Sequence, residues 1–490
     1  MVGERGLIQY IKRSTLYGFV KEEVAKMKKI LYWFRNDLRL TDNAPLQKAL
    51  ANAAEIAFIY VHDPRVWNLT SAGIPRLGWH RRRFLKESLD NLRQLLEDEG
   101  YKLVELWGFP EKIIPEIIQT EKFNSLYFSL ECAPEERAIE GDLQQKSHIH
   151  GFEIQAQWSQ FLFNPENLIA GLLNIPQTFT DFRKKIEKEK YETFIPDEMS
   201  SDSQLRAKSA SLLKTHGLDL SELNKFLGTY ISDLNFEWWN PSPEEQKILA
   251  RIKKDTAPTE KFRLIRGGCT AGERRIEDYF FGSKAVSNYF ETRNGLLNSL
   301  DSTLFSSWLA QGCISPRSVY RRLKDYEKMH GSNKSTYWVF FELLWREFFK
   351  LHLLNAGESF FFPHGLYRVV QENEYSESQT REKIELILNC STGQPFVDAN
   401  MRELIQTGYM SNRGRQNVAS YLIYELNIPW VLGASMFESF LIDYDVASNW
   451  GNWSYIAGVS FDPRGGRNFN VEKQQRDYDP DGSYVSAWSR

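Results

Sequence analysis

Ile30-Leu31-Tyr32-Trp33-Phe34 sets an unbroken apolar run between Lys28-Lys29 and the polar segment RNDLRLTDN that begins at Arg35. A run this short and this apolar reads as a buried β-strand. The pattern returns in Glu55–Val61 (EIAFIYV), Leu103–Trp107 (LVELW), Ser125–Leu130 (SLYFSL) and Glu153–Trp158 (EIQAQW). Helical segments separate these runs. The clearest spans Arg81 to Glu99, with Phe84, Leu85, Leu89, Leu92, Leu95 and Leu96 on one stripe and Gly100 closing it. Pro110 suits the first turn of the next helix. Strands alternating with helices predict an α/β fold with a doubly wound, mostly parallel, Rossmann-like sheet. The loop after the first strand lacks the Gly-rich phosphate fingerprint, so a standard nicotinamide cofactor is not the expected ligand.

At 490 residues the chain is too long for one core. Met27 stands immediately before the first strand run, so residues 1–26 read as an extension outside the fold. Residues 27–158 form the α/β domain. Residues 159–261 read as a long connector with some helices; within it Arg183–Lys190 is a charged helix face and Ser200–Ser211 a polar stretch. From Phe262 to the end the pattern is helical, giving an all-α second domain over 262–490. Net charge is −3, so any nucleic-acid site must be a local basic patch. Cys132, Cys269, Cys313 and Cys390 are far apart and form no CxxC pair, which fits reduced thiols and a cytoplasmic location. No apolar run approaches the length of a membrane span. There is no zinc motif, no GxSxG elbow and no P-loop, and no metal ligand set is expected.

What remains is polar side chains set among Trp and Tyr, a mixture that suits a large flat cofactor. Asp443–Tyr455, DYDVASNWGNWSY, shows no clean helical period. Read alone it fits an aromatic-rich loop with Asp and Asn caps as well as it fits a ligand site. Ser335–Asn355 is a buried helix whose polar residues are Glu342, Arg346, Glu347 and Lys350. Glu342, Trp345 and Phe349 share a stripe, and Arg346 lies four after Glu342, spaced for an ion pair. Asn412, Arg415 and Gln416 share one face of a helix over Met410–Leu426. Ser302, Thr303 and Ser306 precede Trp308 and could cap a helix or face a phosphate. Tyr289 and Arg293, four apart, are ordinary helix-surface residues on spacing alone.

WFRNDLRLTDN, ELLWREFF, PFVDANMRELIQTGYMSNRGRQ and DYDVASNWGNWSY, in this order, resemble the photolyase/cryptochrome flavoproteins, from about Lys28 to the C-terminus. NRGRQ, YDVASNWGNWSY and YDPDGSYVSAW are similar to the DASH branch in particular. The resemblance implies FAD in the helical domain and a 5,10-methenyltetrahydrofolate antenna in the α/β domain. Tyr289, Ser302, Thr303 and Ser306 match positions that hold the FAD phosphates. Asn412, Arg415, Asp443, Asp445 and Asn449 match those around the isoalloxazine, ribose and N5. Glu342, Trp345, Arg346, Gln416 and Tyr455 match the lesion pocket, and Arg293 a position that approaches DNA phosphate. Trp453 and Trp430 match the inner members of the electron chain that reduces the flavin, and Glu131 a folate contact. The implied activity is blue-light repair of cyclobutane pyrimidine dimers, preferentially in single-stranded DNA, by a monomer that binds no membrane. The alternative is a blue-light receptor with the same flavin site and little repair.

Two departures stand out. The outer member of the electron chain is usually a Trp before PFVDANMRE; here no Trp lies between Trp345 and Trp430, and Tyr375 is the nearest redox-capable residue. DASH members tend to carry Lys at the position of Leu304, whose apolar side chain would weaken hold on FAD.

Overall fold

The computed structural model describes residues 28–71, 73–172, 174–188, 240–252, 260–366 and 377–489. The extension 1–26, the polar stretch 200–211 and Tyr375 lie outside them. The five expected strands form one parallel sheet in the order β3-β2-β1-β4-β5. They are β1 (Lys28–Phe34), β2 (Ala53–His62), β3 (Leu103–Trp107), β4 (Ser125–Leu130) and β5 (Glu153–Trp158). Each connection carries a helix: α1 (Ala44–Asn52), α2 (Trp79–Glu97), α3 (Pro110–Thr120) and α4 (Pro134–His150). The doubly wound expectation holds, with β1 central.

The unbroken apolar character of β1 is explained by its two faces. Leu31 and Trp33 belong to a core closed by Ile113, Ile114 and Ile117 of α3 and Leu143 of α4. Ile30, Tyr32 and Phe34 point the other way. They join a second core that includes Phe84 and Leu89 of α2 and continues without a break into the helical half, to Trp308, Leu344 and Trp453. Polar contacts stitch the same seam. Buried Arg39 donates to the carbonyls of Ser159 and Gly312, each at 2.8 Å, and Arg317 pairs with buried Asp42 at 3.0 Å.

After α5 (Phe179–Lys188), the described residues contain no further strand. The helices that matter below are α6 (Tyr289–Thr292), α7 (Ser306–Ala310), α8 (Lys334–Ala356), α9 (Pro395–Thr407), α10 (Asn412–Tyr424), α11 (Trp430–Phe440) and α12 (Val446–Ala457). The central helix α8 is fixed at its start by a capping box between Asn333 and Thr336. Among the described residues no helix is long and apolar enough to cross a membrane, and no cluster of His, Cys, Asp or Glu could hold a metal ion.

Candidate functional site

One pocket in the helical half gathers side chains from five stretches of chain. Tyr289 and Arg293 come from α6 and its end, and Ser302, Thr303 and Ser306 from the approach to α7. Glu342 and Arg346 come from α8, and Asn412, Arg415 and Gln416 from α10. Asp443, Asp445, Asn449 and Trp453 come from α12 and the turn before it.

The segment that gave no helical period is a helix. Asp445 caps α12, accepting from the Ser448 N–H at 2.8 Å, and Gly458 closes it in the left-handed region. Its period is hidden because α12 is packed on several sides, against α8, α10 and α11. Polar and apolar residues therefore both face inward. Gly433 of α11 makes the tightest of these contacts possible: a Cβ there would sit 2.3 Å from the Trp453 ring.

At this end of the pocket the polar groups are already paired. Arg415 donates to both carboxylate oxygens of Asp443, at 3.0 and 2.8 Å, and its Nε donates to the Met410 carbonyl. Asp445 pairs with Lys350 at 3.1 Å, both side chains being nearly excluded from solvent. Burial works against the Asp445 charge, but Lys350 and Arg346 outweigh it and hold the carboxyl well below the usual range. Asn449 is buried, and its amide nitrogen donates to the Ala434 carbonyl at 2.9 Å. That leaves the Asn449 side-chain oxygen and one amide N–H to offer the pocket.

The opposite end differs. Ser302, Thr303 and Ser306 do not cap α7, whose first turn has no side-chain cap. Arg275 instead holds this loop by its backbone, donating to the carbonyls of Ser299, Ser302 and Thr303. The three hydroxyls line the pocket, and no hydrogen bond to another described residue engages them. Leu304 between them is buried with φ 60°, a conformation costly for a residue with a Cβ. Free hydroxyls at one end and an Arg–Asp pair with an amide acceptor at the other form a donor set that fits a dinucleotide with a polar ring system. These residues would hold FAD.

The residues expected to contact a lesion correct one expectation. Glu342 and Arg346 are not paired. Glu342 instead faces Arg293 at 3.5 Å and accepts from the Trp338 indole at 3.1 Å. Arg346 turns across the seam, donating to the Gln160 carbonyl at 2.6 Å and the Leu309 carbonyl at 3.4 Å. The spacing allowed the pair, but the carbonyls of Gln160 and of Leu309 in α7 engage the guanidinium instead. Glu342 keeps 36 % of its side chain exposed, and burial raises its carboxyl above the ordinary value against the pull of Arg293. Gln416 accepts from Arg413 at 2.9 Å, which leaves its amide N–H₂ to donate.

Four expected residues do not line the pocket. Trp345 stacks on Phe179 of α5 at 3.7 Å between ring centroids and meets Tyr455 edge-on at 5.8 Å. One face of its indole is therefore taken. Trp430 is buried, donates to the Pro363 carbonyl at 2.8 Å and touches Trp450 edge-on at 5.8 Å. Glu131 lies at the end of β4, buried, accepting from Asn36 at 3.2 Å. Burial pushes its carboxyl up to about 7 against Arg35 and Lys350. Three residues escaped the sequence: Lys350, a polar residue on an apolar helix; Phe179, in the connector; and Arg467, which binds Tyr455. Only the apolar setting of Lys350 gave a signal.

Residues 30–200 match the DNA photolyase family, and residues 338–489 match the FAD binding domain of DNA photolyase. The chain is 40% identical to a cryptochrome DASH of Synechocystis, over 94% of this chain and 87% of the relative. It is 38% identical to one of Xenopus laevis, over 94% and 82%. A crystal structure of a Synechocystis cryptochrome superposes with TM-score 0.80 at 38% identity, covering 94% of this chain and 89% of that one. A bacterial class III photolyase from Agrobacterium tumefaciens superposes at 0.71 with 25% identity, covering 96% and 88%. The chain belongs to the photolyase/cryptochrome family and, within it, to the DASH cryptochromes; its helical half is an FAD-binding domain.

Proposed function

We propose that this chain is a blue-light-driven photolyase that splits cyclobutane pyrimidine dimers, preferentially in single-stranded DNA. The observation that carries the reading is that Arg293, Glu342 and Gln416 open onto the same pocket as the FAD-holding set. Bound and reduced, FAD supplies on excitation the one electron that splits the dimer, and recovers it afterwards. The protein's part is binding and orientation. Glu342, steadied by Arg293 and Trp338, meets a pyrimidine edge, and the Gln416 amide donates to a pyrimidine carbonyl. Trp345, backed by Phe179, stacks on a flipped base, a contact worth roughly 1–3 kcal/mol. Flipping costs less from a single strand than from a duplex, which agrees with the modest net charge of −3. Arg346 lines the pocket while its guanidinium is held by the carbonyls of Gln160 and Leu309, so it positions α8 beside the substrate. Asn449 would contact the flavin ring, and Trp453 and Trp430 would relay electrons to it. Glu131 would hold a methenyl folate antenna.

The test is repair of an oligonucleotide carrying one thymine dimer, by chemically reduced protein, in blue light and in darkness. Light-dependent loss of the dimer is expected. No loss with reduced flavin present would reject the photolyase reading in favour of a receptor with the same flavin site.

A further inference from the structure

Tyr455 is held from outside the pocket. Arg467 donates to its hydroxyl oxygen and lies 5.1 Å from the centre of its ring. Arg467 is itself fixed, by an ion pair to Asp462, whose side chain is fully buried. The backbone between them is pinned as well. The Arg467 N–H donates to the Ile456 carbonyl at 2.9 Å, and the Arg464 N–H to Asp462 at 2.9 Å. Gly466, at φ 119°, brings this loop so close to α10 that a Cβ would lie 2.0 Å from the Tyr424 hydroxyl. Phe461 holds φ 63° within the same loop while packed among Phe348, Phe349 and His352. A loop this constrained, ending in one buried-charge clamp on one phenol, is more than a connection between helices.

We infer that Arg467, clamped by Asp462, is a positioning residue that sets lesion specificity: it holds the Tyr455 ring edge-on to Trp345 and so fixes the width of the slot for a dimerised pyrimidine pair. This rests on the lesion-pocket reading above. A phenol without such a partner could swing about its side-chain bonds, and the slot would admit an unmodified base as readily as a dimer. The clamp resists this because breaking it removes one of the two guanidinium partners of the fully buried Asp462 charge and leaves only Arg464, at 3.5 Å.

The experiment compares affinity for a short single strand carrying one thymine dimer with that for the same strand undamaged, using flavin-loaded protein. Arg467→Met should lower the dimer preference about tenfold, the scale of one hydrogen bond to a charged group. Arg467→Lys, which keeps a charged donor, should recover part of it. Tyr455→Phe leaves the Arg467–Asp462 pair intact and removes only the hydrogen bond; it should lower the preference by a smaller factor, and it decides the matter if Arg467→Met does not load flavin. If the wild type prefers the dimer and neither Arg467→Met nor Tyr455→Phe loses that preference, the role of Arg467 is overturned and the lesion pocket stands. If the wild type shows no preference, both fall.

Discussion

The two ends of the flavin pocket are built on opposite principles. Around Asp443–Asn449 the charges and the amide have protein partners: Arg415, Lys350 and the Ala434 carbonyl. Around Ser302–Ser306 three pocket-facing hydroxyls have none among the described residues, and only the backbone is tied, by Arg275. The first end costs nothing to organise when a ligand arrives, and it supports the fold meanwhile. The second gains its hydrogen bonds only from the ligand. Substitutions that break an ion pair at the first end should therefore act on stability, and loss of hydroxyls at the second on retention of FAD.

The largest test of that contrast is Lys350→Met. It strands the Asp445 carboxylate in a buried site and should cost about 3–5 kcal/mol of stability, read as a drop in thermal midpoint. The pH dependence has a definite sign. The folded Asp445 carboxyl is held below its unfolded value of about 4, so the wild-type pair stabilises fully above that pH and loses its contribution below. The gap between wild type and variant should shrink as pH falls through about 4, because the stranded carboxyl can then take a proton; a constant gap would count against the pairing. Next in size, Ser302→Ala, Thr303→Ala and Ser306→Ala combined should weaken FAD binding roughly a hundredfold, at about 1 kcal/mol per bond. The midpoint of the flavin-free protein should stay where it was, and a fall would show that these hydroxyls serve the fold. Asn449→Ala tests the proposed contact to the ring and should move the flavin reduction potential by about 1 kcal/mol, or roughly 40 mV for one electron, in a redox titration. Smallest, Leu304→Lys should tighten FAD retention by at most about 1 kcal/mol, and loss of that gain in high salt would confirm its electrostatic origin.

Much of this was legible in the sequence, for physical reasons. A strand buried on both faces must be apolar throughout, and Ile30–Phe34 is. Helix spacing put Asn412, Arg415 and Gln416 on one face, and all three reach the pocket. Spacing misled where long-range partners decide. Glu342 and Arg346 are placed to pair, yet each found a better partner on another segment. The helix at Val446–Ala457 was masked because periodicity reports a solvent face, and a helix enclosed by its neighbours has little of one. Phe179 carries no mark of its contact with Trp345, since stacking across the chain leaves no local pattern.

The core beneath the sheet has a consequence for how the molecule comes apart. One face of β1 closes on α3 and α4, but the other is covered by a cluster continuous with the helical half. A denaturant titration followed by Trp fluorescence and by far-ultraviolet circular dichroism should trace one coincident transition, with a slope set by the whole chain. Two parts by topology, the chain should then behave as one cooperative unit, and two separate transitions would refute this. The sheet moved on its own would need a new cover for the face that now carries Ile30, Tyr32 and Phe34.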